Sequence, residues 1–139
     1  MKIRIMSHGF ILILLALISG MLVSQMAVPR LGLSAHTIGI LSGVLLIAVG
    51  AIFSEFSLSS LQTKVMYWSW LASSYLNWLA CLAGAFLGTG NATPLASQGL
   101  KGEDLSEILV TSMLGVVVIT SFVAVGLSLW GLKSRLKNA

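Results

Sequence analysis

The chain has 139 residues, 57% of them hydrophobic and 9% charged, with a formal net charge of +4 at pH 7 and a mean hydropathy of +0.99. So apolar a chain lacks the polar residues to cover a soluble core, which excludes an ordinary cytosolic domain. Its cations flank apolar runs instead of forming a binding patch, which argues against a nucleic-acid partner, and its one cysteine excludes an intramolecular disulfide.

Four apolar runs, 9–28, 37–58, 65–88 and 108–132, take up most of the chain and hold a single formal charge, Glu55. A helix rising about 1.5 Å per residue crosses a hydrocarbon core of about 30 Å in roughly 20 residues, so each run is long enough to span. Lipid offers backbone amides no partners, and no segment shows the period-2 alternation of a barrel strand. The expected fold is therefore all-α: one integral-membrane domain over residues 1–139, a four-helix up-and-down bundle with connections at 29–36, 59–64 and 89–107.

The first run follows Lys2 and Arg4 and has the look of a secretory signal, but Gln25 and Pro29 surround the candidate cleavage point at Ala27, and a retained helix is expected. Next comes Pro29-Arg30-Leu31-Gly32-Leu33-Ser34-Ala35-His36, an unusually apolar connection that pairs a guanidinium with an imidazole. It is expected either to lie over the bundle or to dip into it, as irregular backbone does when protein buries it. In the second run Gly39, Gly43 and Gly50 share one face with His36 at 100° per residue, and Gly39 and Gly43 form a GxxxG that admits a close neighbour, from this chain or a second copy. Glu55, near the end of that run, points away from the glycines. An intramembrane carboxylate is a functional candidate by default, while its nearness to the interface gives it a plain structural reading.

The third run carries Ser73, Asn77, Cys81, Gly84 and Gly88 on one face. Asn77 reads equally as an interhelical hydrogen-bonding group and as a site residue, and Cys81 as a small packing residue. Trp78 flanks that stripe, whereas Tyr67, Trp68, Trp70 and Trp130 fit the interfacial aromatic belt. The long connection contains an Asn91-Ala92-Thr93 sequon. It also holds Glu103, Asp104 and Glu107, of which Asp104 and Glu107 have the spacing of a helix N-cap and its N3 partner. In a four-span layout Lys2, Arg4, Lys64, Lys133, Arg135 and Lys137 fall on one side and only Arg30 and Lys101 on the other. The positive-inside rule then places the chain in the cell's inner membrane with both termini cytoplasmic.

His8-Gly9, Pro29-Arg30, the segment Gly32-Leu33-Ser34-Ala35-His36, Gly39 and Gly43, Tyr75, Asn77-Trp78, Pro94 and Trp130-Gly131 together resemble the hydroxylaminobenzene mutase family of small four-span membrane proteins. The chain departs from that pattern at Thr37 and Leu76. The resemblance implies an isomerase that rearranges an N-hydroxylaminoarene to an ortho-aminophenol without a redox cofactor. It also implies that a small aromatic hydroxylamine is the partner in the bilayer. On that reading His36, Arg30 and Asn77 are the catalytic candidates, His36 as general acid, with Trp78, Tyr75, Ser34 and His8 lining the substrate and Gly39 and Gly43 packing helices. No cofactor is expected. No metal is expected either, since His8 and His36 fall on opposite sides of the layout. A straight bundle leaves one difficulty, because His8, Asn77 and His36 lie at three depths, the last two about 15 Å apart. Two competing readings remain: a multi-pass transporter of small aromatic or cationic compounds that uses Glu55, and a non-catalytic partner in a membrane assembly. A homo-oligomer is expected through the glycine faces.

Overall fold

The computed structural model describes the backbone of residues 1–137 and the side chains through Ser134, so the side chains of Arg135 and Lys137 used in the charge argument lie outside the described residues. The described residues are helical almost throughout: α1 (Lys2–Met21), α2 (Pro29–Ala51), α3 (Ser60–Leu87), a single turn α4 (Pro94–Ser97) and α5 (Asp104–Lys137), with short 3₁₀ turns at Val23–Gln25 and Phe53–Glu55. Helices α1, α2, α3 and α5 are each long and apolar enough to cross a membrane. The chain is an α-helical membrane protein.

Helix starts differ from the hydropathy boundaries, and those of α2 and α3 have a local cause. Pro29 occupies the first turn of α2, where its fixed φ suits a helix and its missing N–H goes unneeded, so 29–36 is helix and not a connection. The true link is 22–28, held to α3 by the Val28 N–H, which donates to the Ala85 carbonyl at 3.0 Å. Helix α3 begins at Ser60 because Ser59 and Gln62 form a capping box: the Ser59 hydroxyl accepts from the Gln62 N–H at 3.3 Å, and the Gln62 side chain accepts from the Ser59 N–H at 3.0 Å. It ends on Gly88, whose φ of 71° only glycine adopts without strain and whose N–H returns to the Gly84 carbonyl.

The early start of α2 brings an early end. The helix stops at Ala51, and Glu55 falls in the following 3₁₀ turn with an exposed side chain, outside the span where hydropathy had placed it. Asp104 and Glu107 do not form a cap pair either. Glu107 is buried and folds back over the long connection, accepting from the backbone N–H groups of Gly90 at 2.8 Å, Gly102 at 2.9 Å and Asn91 at 3.0 Å. A carboxylate with that many donors organises the connection by itself.

The helices pack mainly in sequence: α1 on α2, α2 on α3, α3 on α5, with α1 touching α3 lightly. One core lies toward the chain termini, where Ile5, Leu12, Leu46, Val49, Met66, Tyr67, Trp70 and Leu71 meet Ala124. Tyr67 and Trp70 are thus core residues and not belt residues. The Trp70 indole donates to Ser128 at 3.1 Å, while Trp68 and Trp130 face outward. A second core at the other end joins Met26, Val28, Leu31 and Ala35 to Cys81 and Ala85, so Cys81 packs as a small apolar residue.

The α1–α2 seam is the tightest. A Cβ added at Gly9 would lie 2.5 Å from the Gly43 carbonyl oxygen, and one at Gly43 would lie 2.6 Å from the Gly9 oxygen. Gly50 closes against Met6 and Ile5 in the same way, so the glycine face of α2 is filled from within the chain by α1. It is not a free surface for a second copy.

Candidate functional site around His36

His36 lies two turns into α2, on the side that meets α1. Its imidazole rests over Gly20, where a Cβ would collide with Nδ1, and that nitrogen donates to the Ala16 carbonyl at 2.8 Å. A carbonyl oxygen only accepts, so Nδ1 carries a proton and the lone pair of the neutral ring sits on Nε2. The Ser19 hydroxyl donates to the same carbonyl at 2.9 Å and accepts from the Trp78 indole N–H at 3.4 Å. Trp78 comes this close because Gly39 leaves a notch, its virtual Cβ lying 2.8 Å from the indole Cδ1. One helix carbonyl thereby ties an imidazole from α2 to an indole from α3.

A second polar pair lies nearer the chain termini. Tyr75 donates to the His8 carbonyl at 3.2 Å, its oxygen is also 3.2 Å from His8 Nδ1, and the two rings meet edge to face at 5.8 Å. His8 is about 12 Å below Ala16 along α1, so the two histidines occupy different levels of the bundle. Tyr75 and Trp78, about 4.5 Å apart along α3, connect those levels. All four side chains are half-buried.

The structure thus joins His36 to Trp78 and His8 to Tyr75, and leaves the other candidates apart. Asn77 turns toward its own helix, with its carboxamide oxygen 4.0 Å from the Cys81 sulfur. Ser34 donates to the Arg30 carbonyl one turn earlier at 3.0 Å, and the Arg30 side chain is exposed at the start of α2. The separation foreseen for His36 shrinks because α2 begins early, which carries His36 to the level of Ala16 and Gly20. Sequence reasoning missed Ala16, Ser19 and Gly20 altogether. A signal existed, since Gly9, Ala16 and Gly20 fall within about 40° on α1, a small-residue stripe matching that of α2. Grooves of 350–540 Å³ run along α5, but neither His36 nor Trp78 lines them. Among the described residues no group of three or more His, Cys, Asp and Glu side chains could hold a metal ion.

Residues 1–133 match the styrene oxide isomerase family. The chain belongs to this family. It is 36% identical to hydroxylaminobenzene mutase HabB of Ectopseudomonas oleovorans over 132 residues, 94% of this chain and 80% of that protein. It is 30% identical to hydroxylaminobenzene mutase HabA of the same organism over 125 residues, 89% of this chain and 93% of that one. No solved structure matches it. The isomerase assignment comes with the family, and in this isomerase His36, Ser19 and Trp78 meet between α1, α2 and α3, with His8 and Tyr75 one level away.

Proposed function

We propose that the protein rearranges an N-hydroxylaminoarene such as hydroxylaminobenzene to the ortho-aminophenol within the membrane. The observation that carries this reading is the His36 imidazole, anchored through Nδ1 to the Ala16 carbonyl, which Ser19 links to the Trp78 indole. Breaking the N–O bond requires a proton on the departing oxygen. With Nδ1 committed to Ala16, that proton comes from Nε2 of the imidazolium form. The bonding pair leaves with oxygen as water, and positive charge spreads over nitrogen and ring, where the faces of Trp78 and Tyr75 are suited to stabilise it. Water then adds to the adjacent ring carbon and returns a proton to Nε2, and transfer of the ring hydrogen to nitrogen restores aromaticity. Atoms and electrons balance without net oxidation. In this reading His36 is the acid–base group, while Asn77 and Arg30 make no hydrogen bond to it and remain candidates for holding the hydroxyl.

The family's description names an aryl epoxide, whose C–O cleavage would also leave charge conjugated with a ring, and this is the second reading. Purified protein is to be incubated separately with hydroxylaminobenzene and with styrene oxide. Formation of 2-aminophenol supports the mutase, aldehyde from the epoxide supports the second reading, and neither product rejects both. A transporter that uses Glu55 would place its carboxylate in the 3₁₀ turn that follows the apolar helix Pro29–Ala51. The reading also includes an inner-membrane location with both termini cytoplasmic, a lipid environment, an apolar aromatic substrate entering from it, and assembly as a homo-oligomer by faces other than the filled glycine seam.

A further inference from the structure

We propose that the connection 88–103 is a latched cap over the end of the bundle away from the chain termini, with Glu107 as its latch and the core around Cys81 as what it seals from water. This concerns neither the substrate nor the acid–base role of His36. One carboxylate oxygen of Glu107 accepts from the Gly90 N–H at 2.8 Å and the Gly102 N–H at 2.9 Å, so a single atom joins the two ends of the connection, while the other oxygen accepts from Asn91 at 3.0 Å. Between those ends the chain doubles back on itself. A Cβ at Gly90 would strike the Leu100 carbonyl oxygen and lie 2.6 Å from Ser97 Oγ, and one at Gly102 would lie 3.0 Å from the Leu87 oxygen. The folded segment sets Ala96 of α4 against the core of Met26, Val28, Leu31, Ala35, Cys81 and Ala85, and Trp78 packs on the same core from below.

A cap that opens locally is held by a few strong bonds and opposed by local penalties, and this segment has both. The three bonds to one carboxylate are the strong element. Against them, the Thr89 and Thr93 hydroxyl oxygens are buried with no hydrogen-bond partner among the described residues, and each has given up water without compensation. Gln98, at the end of α4, holds a left-handed φ of 54°, where a side chain is strained. All three penalties are relieved when the segment lifts. Gly88 and Gly102 flank it as hinges, and the core residues beneath belong to the link 22–28 and to α2 and α3, so lifting leaves the four long helices in place. It would open a path for water to Cys81 and toward Trp78.

Cys81 is the only cysteine in the chain and is 5% exposed, so its alkylation reports the opening directly. In detergent-solubilised full-length protein, the rate with a charged maleimide is to be measured beside the rate with neutral N-ethylmaleimide. Glu107→Ala should raise the charged-reagent rate about tenfold or more, as loss of a local latch does, while Glu103→Gln, which removes an exposed acid from the same segment, should leave it at the wild-type value. An unchanged rate in Glu107→Ala overturns the latch. So does a Glu107→Ala protein that loses its folded tryptophan emission and reacts equally fast with both reagents, because the carboxylate would then hold the whole bundle and not a cap. Thr89→Val supplies an independent arm, since it keeps the side-chain shape and removes one orphan hydroxyl from the closed state. It should slow charged labelling about threefold, and a rate at or above wild type refutes the cap even if Glu107→Ala fails to assemble.

Discussion

The seam between α1 and α2 allows one substitution to be compared across sites that differ in a single physical respect. At Gly43 an added Cβ would lie 2.5 Å from Ile13 Cγ1 and 2.6 Å from the Gly9 oxygen, whereas at Gly115 and Gly126 on α5 it would meet nothing within 4 Å. Ordinary contact needs about 3.4 Å or more, so Gly43→Ala forces the helices apart by most of an ångström. One obstacle is backbone and cannot swing aside. Overpacking of this kind costs about 1–3 kcal/mol, and the preference of a helix for alanine over glycine returns about 1 kcal/mol. At Gly115 only the second effect operates. Gly43→Ala should therefore be less stable than Gly115→Ala by about 1–3 kcal/mol, since the propensity gain cancels in the difference. Gly9→Ala should behave like Gly43→Ala. Because each residue's Cβ strikes the other's carbonyl, a helix displaced by the first substitution already accommodates part of the second, and the double variant should fall short of the sum by at least about 0.5 kcal/mol. Unfolding titrations with SDS in mixed micelles, followed by tryptophan fluorescence, give these differences. Equal stabilities for Gly43→Ala and Gly115→Ala, or full additivity, would refute the reciprocal crossing.

His36→Ala should lower mutase turnover about 10²- to 10⁴-fold, as loss of general acid–base catalysis does, while Glu55→Gln should leave it near the wild-type rate; product formation by chromatography, on variants shown to assemble, separates these outcomes. Glu107→Ala should free the long connection, seen as faster amide exchange at Gly90, Asn91 and Gly102, and unchanged protection there would show that the carboxylate does not hold it. Reporter fusions at Gly99 and after the last residue should report opposite sides of the membrane, with the C-terminal one cytoplasmic. An external C-terminus would overturn the charge-based orientation.

How much of this was legible from residues depends on whether a property belongs to one segment or to two. A span needs length and apolar composition, and backbone groups in lipid must satisfy each other within the segment, so the four helices and the fold class follow from local sequence. Resemblance in the 32–36 segment and the Asn77-Trp78 pair pointed to the family for the same reason: short motifs are local. Helix ends were misplaced by up to eight residues because hydropathy marks where lipid begins, while Pro29 and the Ser59–Gln62 box mark where the helix begins. Partners were not legible. Trp68 and Trp70 are two residues apart and chemically identical, yet one faces outward and the other is buried against Ser128, because only the packing of α3 decides which way each points. Arg30 looked as promising as His36, yet its side chain is exposed at the start of α2, while Asn77 bonds within its own helix to Cys81. The bond from His36 to Ala16 spans 20 residues, and it exists only where Gly20 and the early start of α2 bring two helices to the same depth. A carbonyl carries no sequence signature, since every residue has one, and the tertiary fold alone selects which of them holds the imidazole.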